Sequence, residues 1–328
     1  MNEFEGIKWE DFVSTNIKWV DKFFHHLPGA QEFKVRTRVL SLKFSGTQQE
    51  SLALSSYLAN SIKNYIFDKA QIKKMQDDDE DPFRKASAFF GATDPVKDGK
   101  YGELMLYLLV EAVLKVPMVS HKLQLLTNLN DQVKGGDGIF FGKYGGNLSI
   151  FIGEAKIHQA FTQATVSSLK SIDRFHQNYT ASSLSHELFI ARSNISQNFT
   201  IEQYEKMYEA FTPGSACYQD CIKVHPVLLV YDSKKISDIE DAATGKEHAE
   251  QLVAEWLKDY GQNALDHVQE KLGSYPKLKK VYLDFFLVPM SDVGSFKKTL
   301  YKEIHGIEFK DPPPEKKKAA SAKSPKSK

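Results

Sequence analysis

The sequence predicts an α/β protein whose core is a mixed β-sheet flanked by helices. Strand-like and helix-like segments alternate along the chain, and a β-hairpin lies near its centre, which together favour a mixed sheet. The 328 residues are 41% hydrophobic and 26% charged, which is ordinary for a globular protein and excludes wholesale disorder. A chain of this length corresponds to roughly two domains, or to one large domain with elaborations.

The first 95 residues predict an N-terminal α/β region. Residues 33–44 alternate apolar and polar side chains and predict a half-buried strand. Residues 48–69 carry apolar side chains at helical spacing. Residues 77–81 are five consecutive acids, which we expect on a solvated loop. Proline and glycine recur from Pro82 to Gly99, so we expect a loop-rich stretch and a domain boundary near residue 95.

Residues 96–310 predict the main domain. Residues 137–142 and 147–157 predict a hairpin whose turn is Lys143–Gly146, since glycine reaches the positive φ that such turns require. The remaining predicted strands are 225–232 and 279–289, and the predicted helices are 101–116, 159–178, parts of 181–211, 246–272 and 292–304.

The tail and the overall charge bound the partners of the protein. Residues 311–328 hold six lysines against two acids and no large apolar side chain, so we expect a disordered basic tail. Such a tail either attracts nucleic acid weakly or only aids solubility. The formal net charge of +1 excludes a histone-like basic coat. The N-terminus lacks a secretory signal, no stretch can span a membrane, and two cysteines form no disulfide framework, so we expect a cytoplasmic protein.

Common nucleotide and hydrolase motifs are absent from the sequence. It contains no phosphate-binding loop, no GxGxxG after a strand and no GxSxG. Cys217, Cys221 and His225 have the spacing of half a zinc site. Because no second pair of ligands lies nearby in the sequence, we favour two reduced cysteines in or near the core.

One segment carries the residues for a reaction. Glu154 and Lys156 end an apolar strand, and residues two apart in a strand project to the same face. Asp137 begins the preceding strand, so its carboxylate can approach that of Glu154. Two carboxylates and the Ala155 carbonyl form a hard-oxygen site suited to Mg²⁺, with Mn²⁺ as a substitute. Lys156 beside them can orient an attacking water and stabilise charge on a phosphate.

The context of this Glu-x-Lys distinguishes it from the others in the chain. The pattern occurs four times, at Glu32, Glu154, Glu308 and Glu315. Only Glu154 follows an apolar strand and a glycine, with a glycine-flanked Asp137 seventeen residues upstream. The alternative is an ordinary salt bridge on a wet sheet face. We favour a reactive site because the pair continues the apolar face of Ile150 and Ile152, where idle charges are costly.

These motifs resemble a known superfamily. Asp137 followed by Gly153-Glu154-Ala155-Lys156 is similar to the PD-(D/E)xK nuclease signature. Gly102-Glu103 opening an apolar helix, GGDGIFFG and IFIGEAKIH resemble, more closely, the HamA family, the nucleases of the Hachiman anti-phage defence system. The resemblance implies a restriction-endonuclease-like core, metal-dependent DNA cleavage and a helicase partner, HamB. It also implies that the helical Glu103 is the additional acid of many such nucleases.

Further residues border this predicted site. Gln159 and Gln163 occupy the following helix, but neither has the tyrosine four residues later that is found in the exonuclease branch. His158 shares the strand parity of Glu154 and either lines the site or is structural. Lys170 and Arg174, one helical turn apart, either contact DNA phosphates or belong to a solvated helix face.

Three functions remain open from the sequence. The first is a Mg²⁺-dependent DNA nuclease that acts as effector of a defence complex. The second is a non-catalytic regulatory subunit that loads a helicase onto DNA. The third is an RNA-directed or repair nuclease with the same chemistry.

Overall fold

A computed structural model gives the fold, and it describes Phe4 and residues 6–26, 29–120, 136–177 and 183–310. The described α-helices are α1 (Trp19–Phe23), α2 (Ser51–Ile66), α3 (Lys69–Asp77), α4 (Pro82–Phe90), α5 (Lys100–Leu109), α6 (Phe161–His176), α7 (Ser183–Ser193), α8 (Ile201–Ala210), α9 (Ala216–Asp220), α10 (Lys234–Ala242), α11 (Lys246–Leu272) and α12 (Val293–His305). The strands are β1 (Phe24–His26), β2 (Gln31–Glu32), β3 (Val35–Leu42), β4 (Phe44–Ser45), β5 (Gln48–Gln49), β6 (Ile139–Tyr144), β7 (Asn147–Ile152), β8 (Glu154–His158), β9 (Ile222–Asp232) and β10 (Tyr282–Met290). Short 3₁₀ turns span Trp9–Phe12 and Pro276–Lys280.

The predicted α/β class with a mixed sheet is confirmed. Eight strands form one sheet in the order β1-β3-β10-β9-β7-β6, with β2 on β3 and β8 on β9. β3, β10, β9, β7 and β8 run parallel, while β6, β1 and β2 are antiparallel to their neighbours. β4 and β5 form a separate two-stranded sheet.

Helices cover both faces of the sheet because the central strands are apolar on both sides. On one face, α2, α5 and α12 pack with Leu228, Val230 and Phe286. On the other face, α6 and α11 pack with Val227 and Leu229. A third cluster lies under α7 and α8 and holds the side chains of β6 and β7 that face them.

The predicted elements of the main domain are confirmed with shifted ends. The hairpin forms from β6 and β7, and Gly145 and Gly146 in its turn have φ of +56° and +86°. β9 begins at Ile222, three residues before the predicted start, and α11 has the predicted bounds. The predicted helix 101–116 is α5, which continues as a π-helical turn over Val110–Leu114.

The loop-rich prediction was wrong for residues 82–90, which form α4. The Asp81 side chain accepts the Phe83 N–H, and Pro82 occupies the first helical turn, where a missing N–H costs nothing. Ala86 and Phe90 are buried, so packing stabilises a helix between the proline and glycine signals. The acidic run behaves as expected, since its residues end α3 and form the following turn.

β3 shows how the N-terminal region and the main domain join. It pairs in parallel with β10, and one hydrophobic cluster contains residues from both α2 and α12. The predicted boundary near residue 95 stays a prediction, and the predicted tail, 311–328, lies outside the described residues. Within the described ranges, no helix combines the length and apolar character needed to cross a membrane.

Candidate active site

The site lies at the break between β7 and β8. Both strands pair with β9 in one continuous register, from Phe151 opposite Val224 to Glu154 opposite Val227. Gly153 separates them, and its N–H donates to the Gly138 carbonyl over 2.8 Å. A Cβ on Gly153 would lie 2.8 Å from a methyl of the buried Leu106 in α5, so any other residue here would require the Leu106 side chain to shift.

Asp137 is held against this break. Its backbone N–H donates to the Gly153 carbonyl over 3.0 Å, and its carboxylate accepts the Ala155 N–H over 2.6 Å. The Ala155 amide thus points away from β9. Because the N–H and C=O of one strand residue point to the same side of the strand, the Ala155 carbonyl lies along the same edge as the Asp137 carboxylate.

The Glu154 and Lys156 side chains project out of the sheet, whereas the Ala155 amide lies at the edge of the strand. The continuous register places them on one face with Ile150 and Ile152, as the alternation predicts. This face is covered by α6. Glu154 is 3% exposed and forms an ion pair with the Lys156 ammonium, whose side chain is 23% exposed.

Burial determines the electrostatics of Glu154. Removal from water raises the pKa of this carboxyl above its ordinary value. The Lys156 ammonium opposes the increase, as do the Ser171 hydroxyl and the Arg174 guanidinium of α6. The carboxylate is therefore a costly charge that depends on its cationic neighbours.

Glu103 approaches from the other face of the sheet. It lies in the first turn of α5, where its carboxylate accepts the Tyr65 hydroxyl of α2 over 2.9 Å. A Cβ on the neighbouring Gly102 would lie 3.3 Å from the Ala155 Cβ, so α5 covers the Ala155 face. Burial and the carboxylates of Glu103 and Asp137 raise the pKa of Tyr65 well above its ordinary value, which places both acids near this hydroxyl.

The predicted residues therefore form two adjoining groups. Glu154 and Lys156 are together on the α6 face. Asp137 and Glu103 are connected through Ala155 and Tyr65 at the strand edge and the α5 face. Within the described part of the chain, no three His, Cys, Asp or Glu side chains are grouped closely enough to hold a metal ion.

The donor set nevertheless fits a hard cation. Asp137 and Glu154 flank the Ala155 peptide, and its carbonyl lies on the Asp137 edge. Mg²⁺ typically binds through one or two carboxylates and keeps several waters, so it does not require three protein acids. Two carboxylates and one carbonyl match this preference in number and in chemistry, and Tyr65 holds Glu103 on the α5 face.

The residues predicted to border the site occupy its α6 side. Lys170 and Arg174 are exposed on α6, and Arg174 acts on the pKa of Glu154. Gln159 and Gln163 are exposed before and within the first turn of the same helix. Burial, together with Lys156 and Lys297, lowers the pKa of the half-buried His158, so its imidazole is near these two ammonium groups.

Sequence reasoning missed three contributors to the site. Tyr65 is one of the apolar positions of the predicted helix 48–69, and nothing in the sequence around Ser171 indicates a role. His225 was weighed as a zinc ligand, whereas its ring contacts the His176 ring over 2.9 Å between Nε2 atoms and the Ile152 carbonyl over 3.0 Å. All three contacts join different secondary-structure elements, and for His225 the deciding contact is the pairing of β9 with β7.

The fold and this strand break define an α/β protein with two acids and a lysine at the junction of two collinear strands. A family model matches residues 16–304, and it is that of HamA. The chain therefore belongs to the HamA family, as the motifs predicted, and is a component of Hachiman antiviral defence. A search of curated proteins finds no significant match.

Proposed function

We propose that this protein is a metal-dependent DNA nuclease and the effector of a two-subunit defence complex with a helicase. The observation that carries the proposal is the buried Glu154–Lys156 pair beside an Asp137 carboxylate bonded to the Ala155 amide. Buried charges that are incompletely compensated are common at reactive sites, because they are retained for chemistry rather than stability. The proposal includes a cytoplasmic location, because that is where a defence nuclease meets invading DNA.

Each residue has a distinct role in the proposed hydrolysis. Asp137, Glu154 and the Ala155 carbonyl would hold Mg²⁺ or Mn²⁺, which supplies Lewis acidity at the phosphate when bound. Lys156 orients the attacking water and offsets the negative charge that develops on the phosphodiester. Its partly exposed ammonium reaches both the buried carboxylate and the solvent. Glu103, fixed by Tyr65, assists beside Asp137.

α6 supports contact with the DNA backbone in this proposal. Arg174 and Lys170 lie on the exposed side of the helix that covers Glu154, so phosphates near the site meet positive charge. His158, Gln159 and Gln163 line the same side. The near-neutral net charge agrees with a nuclease to which another subunit delivers the DNA.

The test is degradation of plasmid DNA by the purified full chain. Wild type, Lys156→Ala and Lys143→Ala are compared in Mg²⁺ and in chelator, with and without the helicase subunit. Lys143 is an exposed lysine near the end of β6, next to the hairpin turn, and serves as the matched control. We expect cleavage that requires both metal and Lys156 and is unaffected by Lys143→Ala.

The same assay separates the other functions. Absence of cleavage in every arm, with a helicase that is active on its own substrate, would favour the regulatory subunit that loads the helicase. Competition among duplex DNA, single-stranded DNA and RNA distinguishes the DNA nuclease from an RNA-directed one.

A further inference from the structure

Helix α8 turns apolar side chains toward solvent. Ile201, Tyr204 and Tyr208 are 80%, 40% and 43% exposed, and their spacing of three and four residues places them on one helix face. The inward face of the same helix buries Met207 and Ala210. A helix with aromatic and aliphatic side chains at these positions on its outer face has the pattern of one that inserts into a groove of another protein.

Helix α7 extends this surface and fixes its shape. Phe189 of α7 is 55% exposed, and the Arg192 guanidinium lies 5.2 Å from its ring centroid and 5.3 Å from that of Tyr208. Arg192 also donates to the Thr212 hydroxyl over 3.1 Å, and the rings of Tyr204 and Tyr208 stack at 6.4 Å. We call Phe189, Arg192, Ile201, Tyr204 and Tyr208 the aromatic surface.

The composition of the aromatic surface is that of a binding hot spot. Tyrosine, arginine and large apolar side chains contribute most of the binding energy in protein interfaces. Contiguous apolar surface is otherwise costly to leave in water, so its presence on the outer side of two adjacent helices indicates a partner. The pre-ordered stacking of Arg192 lowers the entropy that a partner would lose by fixing it.

Charge around the aromatic surface identifies the kind of partner. Glu202, Glu205 and Glu209 are exposed on α8 beside it and outnumber the one lysine of that helix, the half-buried Lys206. Three carboxylates would repel the phosphates of nucleic acid, whereas they complement lysine and arginine. The rim therefore favours a protein over DNA or RNA as the ligand.

We propose that the aromatic surface docks a protein partner that presents an apolar groove flanked by lysine or arginine. For the identity of that partner the inference rests on the proposed assembly with a helicase subunit. The Ile201, Tyr204 and Tyr208 side chains fill the groove, and the three glutamates pair with its basic rim.

The experiment measures binding of the purified helicase subunit to the full chain by calorimetry. Tyr204→Ala with Tyr208→Ala weakens binding by at least about tenfold, because truncation of hot-spot side chains has this effect. Leu52→Ala is the matched control, since Leu52 is 57% exposed on α2 and lies outside the aromatic surface. Glu205→Lys weakens binding as well and reduces its dependence on salt, which loss of apolar contact alone would not change.

Each contrary result has a defined meaning. Unchanged affinity of the tyrosine and Glu205→Lys variants, with wild type binding, overturns the docking inference and leaves the nuclease proposal intact. Failure of wild type to bind the helicase overturns both the docking inference and the two-subunit assembly. Loss of a homodimer in light scattering, or loss of single-stranded DNA binding by the tyrosine variants, assigns the surface to another ligand and also overturns the inference. Thermal unfolding confirms that the variants are folded, and the single exposed substitution Glu205→Lys keeps the test valid if the tyrosine pair is not.

Discussion

Two buried carboxylates in the same sheet have different surroundings. Asp284 of β10 is fully buried and accepts the Arg38 Nε and Nη2 over 2.7 and 2.9 Å and the Tyr144 hydroxyl over 2.8 Å. Glu154 of β8 is buried to nearly the same degree and forms an ion pair with the Lys156 ammonium, while Ser171 and Arg174 of α6 also favour its charged form. The first carboxylate is fixed by a guanidinium fork and a hydroxyl, whereas burial of the second outweighs the opposing effects of Lys156 and of the two α6 side chains.

The difference separates a structural charge from a reactive one. A planar guanidinium fork with a third donor compensates Asp284 and fixes its position. Glu154 keeps a raised pKa in spite of Lys156, because burial outweighs the ion pair. We therefore expect substitution of Asp284 to cost stability and substitution at the Glu154 site to cost activity.

The largest effect is expected at the metal-binding carboxylates. Glu154→Gln and Asp137→Asn remove charge but keep shape, so both should lower the cleavage rate by about a hundredfold or more. Because burial already disfavours the charged form of Glu154, and the single ammonium of Lys156 reaches solvent, Glu154→Gln should change the free energy of unfolding by less than about 1 kcal/mol. Initial rates on plasmid DNA and urea unfolding measure the two quantities. Full activity or loss of the fold in either variant would contradict the metal assignment.

Asp284→Asn should reverse this pattern. The substitution leaves the Arg38 guanidinium, on a half-buried side chain, without its carboxylate, which costs about 3 kcal/mol of unfolding free energy. The cleavage rate of the folded protein should match that of wild type. Asp238→Asn, at an exposed carboxylate of α10, is the control and should leave stability unchanged. Equal stability of the two variants would show that the fork is not structural.

Local patterns explain why one of these carboxylates was predictable and the other was not. The alternation of Ile150, Ile152 and Glu154 encodes the shared face directly, since strand parity depends on neighbours in sequence. The Arg38–Asp284 pair joins residues 246 apart, and its formation requires β3 to lie beside β10. The bond from Tyr65 to Glu103 likewise depends on how α2 packs on α5, which no local spacing encodes.

The contacting side chains of His176 and His225, on the same sheet face as Glu154, should make the free energy of unfolding depend on pH. Burial and His176 lower the pKa of His225 to about 3, and burial also lowers the pKa of His176, which Asp173 opposes. The unfolded chain binds a proton near pH 6.5, so it gains protons before the folded chain as the pH falls, and stability is lost below that value. His225 alone should cost about 2 kcal/mol between pH 7 and pH 5. Urea unfolding at both values measures this loss, and His225→Asn, which does not titrate, should reduce it; an equal loss in that variant would contradict the assignment.

The smallest effect is expected from Tyr65→Phe, which tests whether the second group of acids is positioned for the reaction. The substitution removes the hydroxyl that holds Glu103 and leaves the buried ring in place, so stability should fall by about 1 kcal/mol. Cleavage should slow severalfold, because Glu103 loses its fixed position beside Asp137, while binding of DNA is retained. In a Glu103→Gln background the same substitution should slow cleavage no further, since two residues that act through one contact are not additive. If the two effects on the rate multiply instead, Tyr65 does not act through Glu103. The hydrogen bond between them is then structural, as the Arg38–Asp284 pair is.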